Sequence, residues 1–83
     1  MPSQSKEDYL KNIYHIREDG NKVNTGNLAA VLAVSPASVS EMVNKLSREG
    51  WIKNIPYHGF ELTREGEKIS INLIRKHRLL EAV

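Results

Sequence analysis

The sequence is 83 residues long, has no cysteine, contains 40% hydrophobic and 27% charged residues, and carries a formal net charge of +2. That length leaves room for one small core, and the absence of cysteine excludes disulfides, thiolate zinc sites and cysteine nucleophiles, in keeping with a reducing compartment. The composition is that of an ordinary globular chain, no run approaches the roughly 18 apolar residues of a membrane span, and Met1 to Lys6 lacks an apolar targeting core, so a cytoplasmic protein is expected.

From Lys6 to about Asp19, the residues Tyr9, Leu10, Ile13, Tyr14 and Ile16 recur at helical spacing, and Ser5 is placed to cap them. Asp19-Gly20-Asn21 has the composition of a turn and ends this first helix. After a connector at Val23, Thr25 or Asn27 can cap a second, short helix that reaches about Leu32, with Leu28, Val31 and Leu32 facing inward and Ala29 and Ala30 permitting close approach. Ala33-Val34-Ser35 interrupts the pattern. Ser35 then serves as N-cap and Pro36 as first residue of a third helix that continues to about Glu49, its apolar stripe formed by Val39, Met42, Val43 and Leu46. Gly50 stops it. Trp51–Ile55 and Phe60–Leu62 are strand candidates joined by the reversal Pro56-Tyr57-His58-Gly59, and Trp51 is expected in the core. Thr63 can cap a last helix with Ile69, Leu73, Ile74, Leu79 and Leu80 as its apolar positions. Its amphipathic pattern runs from Arg75 to Val83 without a Gly or Pro terminator, which predicts a truncated chain.

Two short helices separated by a three-residue break and followed by a β-hairpin give the order of a winged helix-turn-helix, a mainly α fold with a small β-hairpin whose third helix enters the major groove of DNA. The start of that helix is small and polar. Ser35, Pro36, Ala37, Ser38 and Ser40 allow close approach to base edges, Glu41 can accept from a cytosine amino group, and Lys45 and Arg48 suit phosphates. Each serine taken singly is equally well read as solvated or as a local cap. Lys53, Tyr57 and His58 on the wing can lie along the backbone or minor groove, although a lone His or Tyr in a turn is more often only solvated. The stretch from Gly20 to Phe60 has Lys22, Lys45, Arg48 and Lys53 against Glu41 and Glu49, a mild basic excess that fits a polyanion without demanding one.

Lys6-Glu7-Asp8-Tyr9-Leu10, the run from Val34 to Val43, Leu62-Thr63-Arg64-Glu65-Gly66 and the run from Arg75 to Glu81 together resemble the iron-dependent repressor family, and within it the manganese-sensing branch. The resemblance spans essentially the whole chain. It implies a dimeric, metal-activated repressor of metal-uptake genes in which residues 1–70 form the DNA-binding domain and residues 71–83 form a linking helix toward a dimerisation domain absent from this chain. By position, Asp8 matches a carboxylate ligand of the manganese branch, where iron sensors carry methionine. His77 matches a metal-ligating histidine of both branches, and Glu81 matches an acidic ligand of the iron sensors' ancillary site. Oxygen donors with one imidazole favour Mn2+, with Fe2+ or another divalent ion as the alternative. Lys11 departs from the pattern, because several manganese sensors have a second carboxylate there. On the residues alone, Asp8 reads as a charge favourable to the helix dipole and His77 with Glu81 as a surface pair.

An enzyme fares poorly beside this reading, since the chain has no glycine-rich phosphate loop and its three histidines form no catalytic pattern. A winged helix that binds protein, or a regulator answering to an organic ligand, shares the fold and is separated only by the polar start of helix three, by Asp8 and by His77. The expected partners are a pseudo-palindromic double-stranded DNA operator and a second copy of the protein, with no membrane.

Overall fold

A computed structural model of the chain describes residues 5–81, with side chains as far as residue 76. Ser5 has an extended backbone, and its hydroxyl accepts the Asp8 N–H at 3.2 Å while the Asp8 carboxylate accepts the Ser5 N–H at 3.4 Å. This reciprocal capping box opens α1 (Lys6–Glu18), which buries Tyr9, Leu10 and Ile13. Gly20, with φ at 84°, turns the chain out of it. Burial pushes the Tyr9 phenol above its ordinary pKa of 10.0. The folded protein therefore holds that proton more tightly than the unfolded chain, so Tyr9 contributes stability in full below about pH 10 that is lost as pH rises through the elevated value. Denaturant midpoints measured across this range are expected to fall with pH in the parent and to fall less in Tyr9→Phe.

The second helix, α2 (Thr25–Leu32), is capped by Asn24 and not by Thr25 or Asn27. The Asn24 side chain accepts the Asn27 N–H at 2.8 Å, and Asn27 returns the bond to the Asn24 N–H at 2.9 Å. The reason lies outside the segment: Val23 bridges to Gly59 and Phe60 of the hairpin, which holds the chain extended up to the cap. Val31, expected to face inward, is 54% exposed. In so short a helix Leu28, Ala29 and Leu32 occupy the buried arc, and Val31 lies roughly 100° away from its centre. Ala30 is exposed as well, so only Ala29 permits the close approach expected of both.

Ala33 closes α2 in the left-handed region, with φ at 58°, and the chain bends by 107° into α3 (Pro36–Arg48). That angle is typical of a helix-turn-helix. Ser35 caps α3 by accepting the Ser38 N–H at 3.1 Å, and Val39, Val43 and Leu46 are buried. Strands β1 (Ile52–Ile55) and β2 (Gly59–Leu62) pair antiparallel, with Ile52 opposite Leu62 and Ile55 opposite Gly59. Trp51 lies just before β1 and packs against the core partly buried. The Phe60 N–H donates to the Val23 carbonyl at 2.8 Å, which adds the pre-α2 connector to the sheet edge.

The last helix, α4 (Arg64–Glu81), starts at Thr63, whose hydroxyl accepts the Gly66 N–H at 3.2 Å and donates to the Gly50 carbonyl at 2.6 Å. It runs unbroken through residue 70. Ser70 is fully buried, and its hydroxyl meets the Gly66 carbonyl at 2.8 Å and the Leu10 carbonyl at 3.3 Å, tying α4 to α1. The core thus collects α1, the faces of α2 and α3 that meet at their bend, and the inner side of the hairpin. Among the described residues no single helix is long and apolar enough to cross a membrane.

Candidate nucleic-acid interface

Helix α3 buries one stripe and exposes the rest. With Val39, Val43 and Leu46 inside and Met42 half-buried, the helical period turns Ser38, Ser40, Glu41, Lys45 and Arg48 outward, and all five are exposed. Ser35, Pro36 and Ala37 at its N-terminus are exposed too. The Ser35 hydroxyl is engaged in capping and donates to the Ser38 hydroxyl at 3.0 Å, so these two serines first define the geometry of the helix start. Lys45 and Arg48 lie in the last turn, where a cation also interacts favourably with the helix dipole.

The hairpin stands beside this helix. Lys53, Tyr57 and His58 are exposed on it, and the Lys22 ammonium donates to the Tyr57 carbonyl at 3.3 Å. Between α3 and the hairpin lies a cleft of about 260 Å³ lined by Thr25, Ser40, Asn44, Ser47 and Asn54 above an apolar floor that includes Val43 and Phe60. The sequence does not mark Thr25, Asn44, Ser47 and Asn54 as site residues. They come from α2, α3 and β1, and no local pattern makes them neighbours. A polar cleft between an exposed helix face and a hairpin offers hydrogen-bonding side chains of the kind that suit a sugar-phosphate strand.

Asp8 lies elsewhere, in the first turn of α1. One carboxylate oxygen takes the Ser5 N–H and the Ser5 hydroxyl, the latter at 3.2 Å, and the other is 3.8 Å from the Lys11 ammonium. The side chain is 40% exposed. His77 and Glu81 fall within α4, but their side chains lie outside the described residues. Among the described residues no three His, Cys, Asp or Glu side chains gather into a metal-holding group. The N-terminus of α1 is nonetheless joined to the end of α3: Lys6 pairs with Glu49 and its ammonium sits 5.7 Å from the centre of the Trp51 ring.

Residues 1–60 match the family described as iron dependent repressor, N-terminal DNA binding domain. The chain belongs to the iron-dependent repressor family. Among its relatives, the HTH-type transcriptional regulator MntR of Oceanobacillus iheyensis is 40% identical over 81 residues, covering 98% of this chain and 55% of the relative. The MntR of Lysinibacillus sphaericus is 37% identical over 81 residues, again covering 98% of this chain and 58% of the relative. The chain therefore spans a little over half the length of the curated relatives it matches. Among solved structures, the metal-dependent transcriptional regulator MtsR superposes with a TM-score of 0.86 at 43% identity, covering 93% of this chain and 36% of that one. The manganese regulator SloR gives 0.81 at 40% identity, with 95% and 36% covered. As a member of the iron-dependent repressor family the chain is a winged helix-turn-helix, and the relatives named here are regulators of transcription, not enzymes. In this family member α3 and the hairpin are the parts whose geometry suits DNA, because the polar face of α3 is left unclaimed by the core.

Proposed function

We propose that this chain is the operator-reading head of a metal-activated transcriptional repressor that binds a pseudo-palindromic DNA site as a symmetric dimer, with manganese as corepressor. The observation that carries the reading is the division of α3 into a buried stripe and an outward face that is polar from Ser35 to Arg48. In this reading Ser35, Pro36, Ala37, Ser38, Ser40 and Glu41 approach base edges, Lys45 and Arg48 hold phosphates, and Lys53, Tyr57 and His58 on the wing lie along the backbone or minor groove. A protein-docking surface on α3 is disfavoured, because the large exposed hydrophobic residues among those described are Val31 and Tyr57, neither of them on that helix. Residues 1–70 form the reading head, and residues 71–83 lead toward the dimerising part.

Asp8, His77 and Glu81 are the proposed metal ligands. Asp8 fits a hard divalent ion: it is an accessible carboxylate whose orientation is set by Ser5. Lys11 puts a positive charge beside the same carboxylate, which supports one ion there over a pair. When bound, a divalent ion supplies a fixed link between this head and the dimerising part. The chain's own contribution is to hold Asp8 on α1 and to pass the position of α1 to α3 through Lys6, Glu49 and Trp51.

The test is fluorescence anisotropy of the intact protein on duplexes selected from a randomised pool, at one salt concentration, with manganese and then with chelator. Enrichment of a palindrome that disappears on chelation is the expected outcome, and Asp8→Ala with His77→Ala should bind as the chelated parent does. Enrichment that survives chelation would remove metal control, and no enrichment would remove operator reading.

A further inference from the structure

The two faces of the hairpin look onto different parts of the fold. Asn54 and Phe60, partners in the ladder, line the cleft against α3. Successive side chains along a strand point to opposite faces, so the neighbouring partners Lys53 and Glu61 stand on the other side of the sheet. There the hairpin meets the end of α1. The Arg17 guanidinium, from the last turn of α1, lies 3.2 Å from the Glu61 carboxylate. Arg17 is the cation in a cleft of about 290 Å³ whose lining includes the carboxylates of Glu18, Glu61 and Glu67.

Left to the sheet alone, Glu61 would pair with Lys53. Residues directly opposite in an antiparallel ladder have their Cβ atoms about 5 Å apart, and a lysine facing a glutamate there is an attractive pair. Glu61 turns to α1 instead, with its side chain 26% exposed, and Lys53 is exposed and in no ion pair among the described residues. Without Arg17, two forces would drive the Glu61 carboxylate the same way: Glu18 and Glu67 in the cleft repel it, and Lys53 across the ladder attracts it. A lysine paired with a carboxylate has its charge offset and is a poorer partner for a polyanion.

We propose that Arg17 is a positioning residue for DNA recognition that itself touches no DNA: by holding Glu61 on the α1 side of the hairpin, it keeps the charge of Lys53 unpaired. This rests on the operator-reading role and adds to it a residue outside both α3 and the hairpin. Glu61 thus has two competing cations, and the choice between them sets the charge that the hairpin shows to a polyanion. An exposed ion pair contributes little to stability, so the consequence of the Arg17 pair lies in binding.

The test is a set of variants in the intact, manganese-loaded protein, titrated by anisotropy on a duplex that the parent selects from a randomised pool. Arg17→Gln should bind about three- to tenfold more weakly for each head engaged, with the slope of log K against log salt shallower by up to about 0.9 per head. It should melt within a few degrees of the parent. In a Glu61→Gln background, where no carboxylate is left to capture Lys53, Arg17→Gln should change affinity by less than about twofold. In a Lys53→Gln background it should likewise add no loss. Full affinity in Arg17→Gln would overturn the proposal. So would a loss that persists in the Glu61→Gln background, which would make Arg17 a direct phosphate contact or a mechanical brace of the hairpin, and so would a further loss in the Lys53→Gln background. A parallel Lys45→Ala, Arg48→Ala variant separates this from the operator reading. If it loses binding while Arg17→Gln keeps it, operator reading stands and the role of Arg17 falls; a parent that selects no duplex removes both.

Discussion

Exchanging Lys45 and Arg48 together for alanine is expected to lower DNA affinity by roughly a hundredfold for each head that engages the duplex near physiological salt, taking about 1.5 kcal/mol for each charge-assisted hydrogen bond to phosphate. Both side chains are exposed in the last turn of α3, away from the N-terminal residues proposed to approach bases, and the proposed reading assigns them to phosphates. Phosphate contacts carry no sequence information. The weakening should therefore be uniform across preferred and scrambled duplexes, and the slope of log K against log salt should become shallower by about 0.9 for each phosphate interaction removed, summed over both heads. A salt titration by anisotropy measures both quantities. Weakening confined to the preferred duplex with an unchanged slope would mean that these cations read bases and that the division of labour along α3 is different. The fold should not suffer, since neither residue touches the core.

Gly66→Ala is expected to have the opposite profile, with a large loss of stability at a residue that faces no ligand. Gly66 lies in the first turn of α4, where alanine would ordinarily be the better helix former by about 1 kcal/mol. Here a Cβ would lie 2.1 Å from the Trp51 carbonyl oxygen and 3.0 Å from its carbonyl carbon, and both are backbone atoms that no rotamer change can move. Accommodating it requires α4 to lift from the start of β1, which loosens Thr63 on the Gly50 carbonyl and Ser70 on the Leu10 carbonyl. Overpacking with backbone displacement of this kind costs about 2–4 kcal/mol. In a domain this small that corresponds to a fall in melting temperature of roughly 10–25 °C, readable by calorimetry or by circular dichroism. An unchanged or raised melting point would show that α4 docks less tightly than this packing requires.

These two outcomes bear on how far the chain could be read without its structure. The helical spacing of Tyr9, Leu10 and Ile13, the Ser5 and Ser35 caps and the Thr63 cap depend on neighbours three or four residues away, and each stands where the sequence indicates. The face of α3 was legible for the same reason, because burial of Val39, Val43 and Leu46 fixes what turns outward. Gly66 was legible only as part of a resemblance, and its physical cause, the Trp51 carbonyl, is fifteen residues earlier in the chain.

The order of elements, the helix starts set by their own hydroxyl caps and the polar character of the α3 surface are all encoded locally in the chain. Tertiary packing decided the rest. It chose Asn24 over Thr25 as cap because the hairpin holds Val23 extended, and it left Val31 in solvent because an eight-residue helix has one narrow buried arc. It also assembled Thr25, Ser40, Asn44, Ser47 and Asn54 into one cleft and locked Tyr57 into a left-handed turn. The physical division is one of range: propensities, caps and periodicity act within a turn or two of helix, whereas close approach, strain and surface composition depend on which distant segments the core brings together.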